Sequence, residues 1–271
     1  MNRRSTLKFI GAASLGLSIP ALAFHSADKE PKLGAGSADA GETFSAIPKI
    51  TCRIIGVGDI GIQVVARAFS SGLIHAPDCQ PGFAAVSMGR KGISVAITAN
   101  RLHPELAPIR PVQLGRYGAG GDVNVARAAA RKYDRTLRSL VDGAEIVVLA
   151  MCISGGTGSS VGPILAKMAQ EIGALTLAVV IIPFPWEVFQ FPSALQASKD
   201  LERECTYLVT LRNGEIGTLL GRDATLNDLA TQQELIGTAC IHRLMLDGSR
   251  FCIERLRPAK SQLSTCQPRK A

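Results

Sequence analysis

The stretch that decides the fold is residues 154–160, which read Ser154-Gly155-Gly156-Thr157-Gly158-Ser159-Ser160. Before it, residues 144–153 (AEIVVLAMCI) form an almost unbroken apolar run, which is typical of a strand buried on both faces of a parallel sheet. After it, apolar residues recur at helical spacing from Val161 to Ile172, and Pro163 is expected in the first turn of that helix. The segment is therefore predicted to be the turn between a buried strand and a helix.

A turn of this composition suits a bound phosphate. Its three glycines let the backbone approach a ligand closely, and the N–H groups and positive dipole end of the following helix attract an anion. The hydroxyl groups of Thr157 and Ser159 add hydrogen-bond donors. The alternative is a tight turn that merely needs flexible residues. A Walker P-loop is excluded, because no Gly-Lys-Ser/Thr sequence follows.

A second glycine loop follows the first predicted strand, residues 50–55. It reads Gly56-Val57-Gly58-Asp59-Ile60-Gly61 and matches the GxGxxG pattern of dinucleotide-binding proteins. Binding of NAD or FAD also requires an acidic residue about 20 positions further on, at the end of the next strand. Residues 81–86 offer none. An NAD(P)-binding Rossmann oxidoreductase therefore remains only as an alternative.

Together these motifs resemble the tubulin and FtsZ family. Residues 154–160 are similar to its signature [SAG]GGTG[SA]G, with Ser160 in place of the final glycine. Residues 118–150 and 173–187 resemble the flanking FtsZ segments in the same order, and the likeness extends from residue 50 to residue 246. It implies an α/β fold, a Rossmann-like parallel sheet flanked by helices as in the tubulin/FtsZ GTPase domain, without the family's second domain.

The resemblance also implies a ligand, GTP or GDP, with Mg²⁺ as a further candidate, and a set of residues that contact it. Three glycine loops would hold the phosphates, Glu187 the ribose, and Asn213 and Gln233 the base. The loop residues are Gly56, Gly58, Gly61 and Gln63, then Gly118, Ala119, Gly120 and Gly121, and lastly Ser154, Gly155, Gly156, Thr157, Gly158 and Ser159. No catalytic residue and no protein metal ligand is assigned.

Several positions depart from the family pattern. Asp59 occupies a glycine position, Phe191 replaces an arginine, and Leu229 replaces an aromatic residue that stacks on guanine. Residues 92–98 are predicted to be the second strand, which makes residues 73–92 an insertion and puts Ala99 at the position of an aspartate that lies near the phosphates. The acidic loop that follows the family's central helix is absent. GTP hydrolysis is therefore expected to be weak or to depend on a partner.

Bulk composition adds little to this interpretation. The formal charge of +8 is scattered, and no basic patch studded with aromatic residues indicates nucleic-acid binding. Seven cysteines without a CxxC spacing indicate neither a disulfide framework nor a zinc site.

Expected partners are a guanine nucleotide and either further copies of this chain or a complete FtsZ-type homologue. Association through the helix predicted at residues 226–246 is one expected route.

The domain organisation is predicted in five parts. Residues 1–27 resemble a twin-arginine export signal or an anchor, and residues 28–48 form a polar linker. Residues 49–222 are the nucleotide-binding domain, residues 223–257 a central helix and remnant, and residues 258–271 a basic tail. We expect a cytoplasmic protein, tethered to the inner membrane if the first segment is an uncleaved anchor. Periplasmic export is the alternative.

The predicted function is that of an FtsZ/tubulin-like guanine-nucleotide-binding protein in a cytoskeletal, cell-division or membrane-remodelling assembly. A nucleotide-free scaffold on the same fold is the first alternative, since a fold does not determine a function. The oxidoreductase is the second.

Overall fold

The structure, a computed structural model, describes residues 49–72, 78–187 and 191–256. Within these ranges six strands form one sheet in which every neighbouring pair is parallel. The strands are β1 (Ile50–Val57), β2 (Cys79–Ser87), β3 (Arg110–Gln113), β4 (Ile146–Cys152), β5 (Leu175–Ile182) and β6 (Tyr207–Arg212). The predicted α/β architecture with a Rossmann-like parallel sheet is confirmed, and the described residues contain no second domain.

Helices cover both faces of the sheet. They are α1 (Gly58–Ser70), α2 (Arg90–Leu102), α3 (Val123–Lys132), α4 (Asp134–Val141), α5 (Gly156–Glu171), α6 (Phe191–Glu204), α7 (Asn213–Leu220) and α8 (Leu226–Phe251). A π-helical turn, Cys252–Leu256, follows α8. Within the described ranges no helix is long and apolar enough to cross a membrane.

The strands lie in the order β3-β2-β1-β4-β5-β6, so the chain reverses its direction of travel across the sheet between β1 and β4. In open α/β sheets a crevice forms at such a switch point, outside the carboxyl ends of the strands. Helix α1 begins directly after β1, and α5 begins four residues after the last residue of β4. Two of the three predicted glycine loops, at the starts of α1 and α5, therefore lie at the switch point.

The central strands are apolar on both faces, because each face carries its own helical layer. Val147, Leu149 and Met151 belong to the core shared with α3, α4, α5 and α6. Ile146 and Val148, on the opposite face of β4, belong to the core shared with α1, α7 and α8. A smaller cluster between α1 and α2 completes the interior.

The predicted position of the second strand is wrong. Residues 92–98, predicted as a strand, lie in helix α2, where Gly92, Ile93, Ala96 and Ala99 are buried at helical spacing. The strand is β2, inside the segment interpreted as an insertion. Its sequence signal is weak because it contains Pro81, which lacks a backbone N–H. Proline is tolerated there because β3 pairs only with residues 84–87 of β2, which leaves Pro81 without a neighbour on that side.

The predicted start of the helix that contains Pro163 also needs correction. Pro163 does not lie in the first turn of α5, because the helix begins at Gly156, about two turns earlier. The missing N–H at Pro163 removes one intrahelical hydrogen bond. Residues 123–141 form two helices, because Tyr133 has a non-helical conformation and separates α3 from α4.

Helix α8 lies against the sheet and begins with a capping box. The Thr225 hydroxyl accepts from the Asp228 N–H, and an Asp228 carboxylate oxygen accepts from the Thr225 N–H at 2.8 Å. The helix extends past the predicted end at residue 246 to Phe251. The predicted signal or anchor (1–27), linker (28–48) and basic tail (258–271) lie outside the described residues.

We expect Gly61→Ala to destabilise the fold. A Cβ at Gly61 would overlap the Ala150 carbonyl oxygen and lie 3.0 Å from the Met151 Cα, so α1 would have to move away from β4. We predict a loss of about 3 kcal/mol in the free energy of unfolding, measured by urea titration. The matched control is Gly214→Ala, where a Cβ meets nothing within 4 Å. Equal midpoints for the two variants would contradict this packing.

Candidate functional site

A cavity of about 460 Å³ lies at the switch point, at the carboxyl edge of the sheet. Its walls come from the starts of three helices and from the loop between β3 and α3. The residues that line it are Val57, Gly58, Asp59, Ile60, Ser87, Gly89, Arg90, Lys91, Arg116, Tyr117, Gly118, Ala119, Gly120, Gly121, Cys152, Ser154, Gly155, Gly156, Thr157 and Gly158. The structure thus brings the three predicted glycine loops together around one space.

Three helix N-termini converge on this cavity. Helices α1, α2 and α5 begin after Val57, Gly89 and Gly155, and none of these residues caps its helix with a side-chain hydrogen bond. The first N–H groups of a helix lack intrahelical acceptors, and the helix dipole places partial positive charge at the same end. Uncapped starts also occur at α4 and α7, so the distinctive feature is that three of them face one space. Such an arrangement attracts an anion.

Close backbone contacts hold the start of α5 in place. A Cβ at Gly158 would overlap the Cys152 carbonyl oxygen, and one at Gly156 would lie 2.7 Å from the Asp122 carbonyl oxygen. Gly58 has a φ of 74°, a left-handed conformation that favours glycine. Gly155 differs, because a Cβ there would meet nothing within 4 Å and would project into open space.

The electrostatics of the cavity are positive. Arg90 and Lys91 occupy the first two positions of α2, and Arg116 lies in the loop before α3. Among the described residues that line the cavity, Asp59 is the only acidic one. Its Oδ1 accepts a hydrogen bond of 3.0 Å from the Ser87 hydroxyl. The net field of the lining side chains therefore favours a negatively charged ligand.

Cys152, Ser154 and Ser159, at the end of β4 and in the turn after it, make different hydrogen bonds. The Cys152 thiol lies 3.0 Å from the Ser154 hydroxyl, and burial, opposed by hydrogen bonding to Ser154, raises the pKa of that thiol. The thiol is therefore protonated at neutral pH. The Ser159 hydroxyl, predicted to face a ligand, donates to the Ile153 carbonyl at 2.8 Å and is buried. It supports the turn and does not line the cavity.

Three other residues of the predicted loops also lie away from the cavity. Gly56 and Gly61 occupy the packing contacts between β1, α1 and β4. Gln63 lines a separate cavity between α1 and α2, together with Arg67 and Glu234. The remaining predicted loop residues line the main cavity.

The three residues predicted at the ribose and base do not line the cavity either. Glu187 accepts a hydrogen bond of 2.6 Å from the Phe184 N–H and lies near enough to Cys152 to contribute to the raised pKa of its thiol. Asn213, at the start of α7, and Gln233, on α8, are buried against each other. The Gln233 amide donates to the Asn213 Oδ1 at 2.6 Å. The Leu229 side chain is also buried on α8.

The assignment of Ala99 to the family's aspartate position is wrong, because Ala99 is buried between α1 and α2. The residues that reach the cavity after β2 are Ser87 and Gly89. The strand thus ends without the acidic residue that a dinucleotide-binding site requires. Sequence reasoning also missed Arg90, Lys91 and Arg116, because single charged residues outside a recognised motif carry no signal of a site.

The fold and the cavity define a class of protein: doubly wound α/β domains with an anion-attracting site at the switch point. The family follows from comparison. A family model described as "Tubulin/FtsZ family, GTPase domain" matches residues 51–221. This chain therefore belongs to the tubulin/FtsZ family, as its motifs predicted.

Curated relatives agree with this assignment. The cell division protein FtsZ of Pseudomonas aeruginosa is 36% identical over 110 residues, which cover 40% of this chain and 28% of the relative. FtsZ 1 of Pyrococcus horikoshii is 31% identical over 144 residues, covering 51% and 35%. FtsZ of Neisseria meningitidis serogroup B is 26% identical over 189 residues, covering 68% and 44%. The chain thus matches less than half the length of each of these relatives.

Solved structures show the same fold. An empty FtsZ dimer from M. jannaschii aligns with a TM-score of 0.60 at 20% identity, covering 72% of this chain and 54% of that chain. CetZ from Methanosaeta thermophila aligns with a TM-score of 0.56 at 15% identity, covering 72% and 53%. At these identities the likeness concerns the fold alone.

We expect Ser160→Ala to loosen the contact between α5 and α3. The Ser160 hydroxyl is buried and lies 2.8 Å from both the Val123 and the Gly156 carbonyl oxygens, so its removal leaves the Val123 carbonyl without this partner. We predict a loss of about 1 kcal/mol in the free energy of unfolding, measured by urea titration. The control is Ser94→Ala, an exposed helical serine that donates to the Lys91 carbonyl. A loss no larger than that of the control would refute the bridging role.

Proposed function

We propose that this chain binds a guanine nucleotide, with the phosphates in the cavity at the switch point. The observation that carries the proposal is the convergence of three uncapped helix N-termini on one cavity in a domain of the tubulin/FtsZ GTPase type. Backbone N–H groups at helix starts bind phosphate oxygens, and glycine lets the backbone approach them. The loop of Gly118, Ala119, Gly120 and Gly121 also lines the cavity.

The ribose and base would extend from the cavity toward α7 and α8. Glu187 is the first residue in that direction, since it lies in the loop that follows β5, next to β4. Its carboxylate already accepts from the Phe184 N–H through Oε2, which leaves Oε1 for a ribose hydroxyl. Asn213, the first residue of α7, and Gln233, inside α8, follow and would contact the base.

Discrimination between guanine and adenine is proposed to be weak. The Gln233 amide donates a 2.6 Å hydrogen bond to the Asn213 Oδ1. This hydrogen bond must break before either of these two groups can bond to a base. Strong rejection of a wrong base requires polar groups that only the right base can satisfy. The same pairing favours the second candidate function, a scaffold that keeps the fold without a nucleotide.

Hydrolysis is proposed to be slow or to depend on a partner. Phosphoryl transfer to water needs a group that positions the attacking water. Among the described lining residues only Asp59 carries a carboxylate, and that group accepts from Ser87. A partner subunit that supplies a carboxylate at the cavity mouth would complete the site.

We further propose that the chain acts in an assembly with copies of itself or with a complete FtsZ-type protein. The curated relatives are named cell division proteins, and the M. jannaschii FtsZ structure is a dimer. We place the protein in the cytoplasm, where GTP is available, with the N-terminal segment as a proposed tether to the inner membrane.

Equilibrium binding tests this function. A fluorescent GTP analogue is titrated with the full chain and then displaced with GTP, ATP or NADH. We expect displacement by GTP, displacement by ATP within about tenfold of GTP because base readout is weak, and none by NADH. Failure of the analogue to bind at millimolar nucleotide would favour the scaffold. Displacement by NADH alone would restore the oxidoreductase.

The variant Gly155→Asp separates binding from folding. Its side chain would enter open space, and an aspartate before the first residue of α5 would cap that helix. We therefore expect thermal stability to be unchanged or slightly raised, while nucleotide affinity falls at least about tenfold through repulsion of the phosphates.

Gln170→Glu, at the exposed far end of α5, is the matched control for this change of charge. It should bind the nucleotide as the unmodified chain does. Undiminished affinity in Gly155→Asp, at normal stability, would place the phosphates elsewhere.

A further inference from the structure

The side chains around the cavity do not form a magnesium site. Mg²⁺ in nucleotide sites is held by one or two carboxylates together with phosphate oxygens and water. The carboxylate available among the described lining residues is that of Asp59. It accepts from Ser87 and packs against the start of α2, where a Cβ at Gly92 would lie 2.6 Å from its Oδ1. No group of three acidic, histidine or cysteine side chains suited to a metal occurs among the described residues.

The cavity is instead lined by three cationic side chains. Arg90 and Lys91 begin α2, and Arg116, in the loop before α3, lines the same cavity. Within the described part of the chain no carboxylate forms an ion pair with any of these three side chains. Arg116 instead lies 5.7 Å from the centroid of the Tyr117 ring. All three are exposed and free to turn toward a ligand.

The position of Arg90 and Lys91 is unfavourable for the protein without a ligand. Cations at a helix N-terminus oppose the dipole, and α2 has no acidic residue in its first turn to compensate. An anion bound in the cavity removes this conflict, because it attracts the two side chains and the helix end together.

We infer that this cavity neutralises the phosphates of a nucleoside di- or triphosphate with Arg90, Lys91 and Arg116 in place of Mg²⁺. The inference rests on the proposed function and adds that the nucleotide binds as the polyphosphate without a bound metal. Three full charges and three helix ends of about half a charge each oppose the several negative charges of that anion. Complexation by Mg²⁺ lowers the charge of the nucleotide and therefore weakens its attraction to this site.

The first test compares binding of a fluorescent GTP analogue to the full chain in excess EDTA and in excess MgCl₂, at equal ionic strength. We expect a dissociation constant in EDTA that equals or is lower than that in magnesium. Binding that weakens about tenfold or more in EDTA and returns with Mg²⁺ would overturn the inference and leave the proposed function standing. Absence of binding under both conditions would overturn both.

The second test neutralises the cations one at a time. In EDTA, Arg90→Gln, Lys91→Gln and Arg116→Gln should each weaken binding by about three- to tenfold, because each removes a charge-assisted contact with phosphate. The matched controls are Arg101→Gln, at the far end of α2, and Lys167→Gln, on the exposed face of α5. Neither control residue lines the cavity, and both variants should bind as the unmodified chain does.

Thermal unfolding without nucleotide distinguishes loss of binding from loss of structure. Since Arg90 and Lys91 oppose the dipole of α2, Arg90→Gln and Lys91→Gln should unfold at the same temperature as the unmodified chain or higher. Lower affinity with undiminished stability supports the inference. Affinity in EDTA that is unchanged in all three cavity variants would overturn it.

Discussion

The structure depends on close backbone contact at the point where β1 and β4 lie side by side. Gly61 brings α1 against the carbonyl of Ala150, and Gly158 brings α5 against the carbonyl of Cys152. Side chains larger than hydrogen would separate each helix from the sheet. Because both helices start at the same edge of adjacent strands, these two contacts also determine where the helix N-termini point. The packing requirement of the core and the electrostatic character of the cavity thus have one origin.

Sequence reasoning succeeded where local pattern and packing agree. The apolar runs of β4 and β5, the glycine turn before α5 and the long helix α8 follow from periodicity and turn chemistry, and the family resemblance ordered them correctly. It failed at β2, because Pro81 weakened the strand signal while the apolar residues of α2 suggested a strand. That single error displaced the supposed aspartate position to Ala99, which is buried between α1 and α2 and does not line the cavity. An alignment places a residue at the correct site only when the strand or helix that contains that residue has been assigned correctly.

The candidate site was predictable in its backbone and much less so in its side chains. Three glycines within four residues, as at positions 155–158, indicate a tight turn in the sequence, whereas Arg90, Lys91 and Arg116 are unremarkable in a chain with a formal charge of +8. Their significance comes from the topology, which brings the end of β2 and the loop after β3 to the same space. The polar pair Asn213 and Gln233 differs again: the family resemblance predicts that both contact the base, but only the three-dimensional structure shows that they hydrogen-bond to each other.

The uncapped start of α5 also bears on how the protein would respond to engineering. A search for thermostable variants would favour Asp or Ser at position 155 and acidic residues in place of Arg90 and Lys91, since each change suits a helix N-terminus. Every one of these substitutions would reduce the attraction of the cavity for an anion. Selection for heat resistance alone would therefore raise the stability of this domain and lower the attraction of its cavity for an anion.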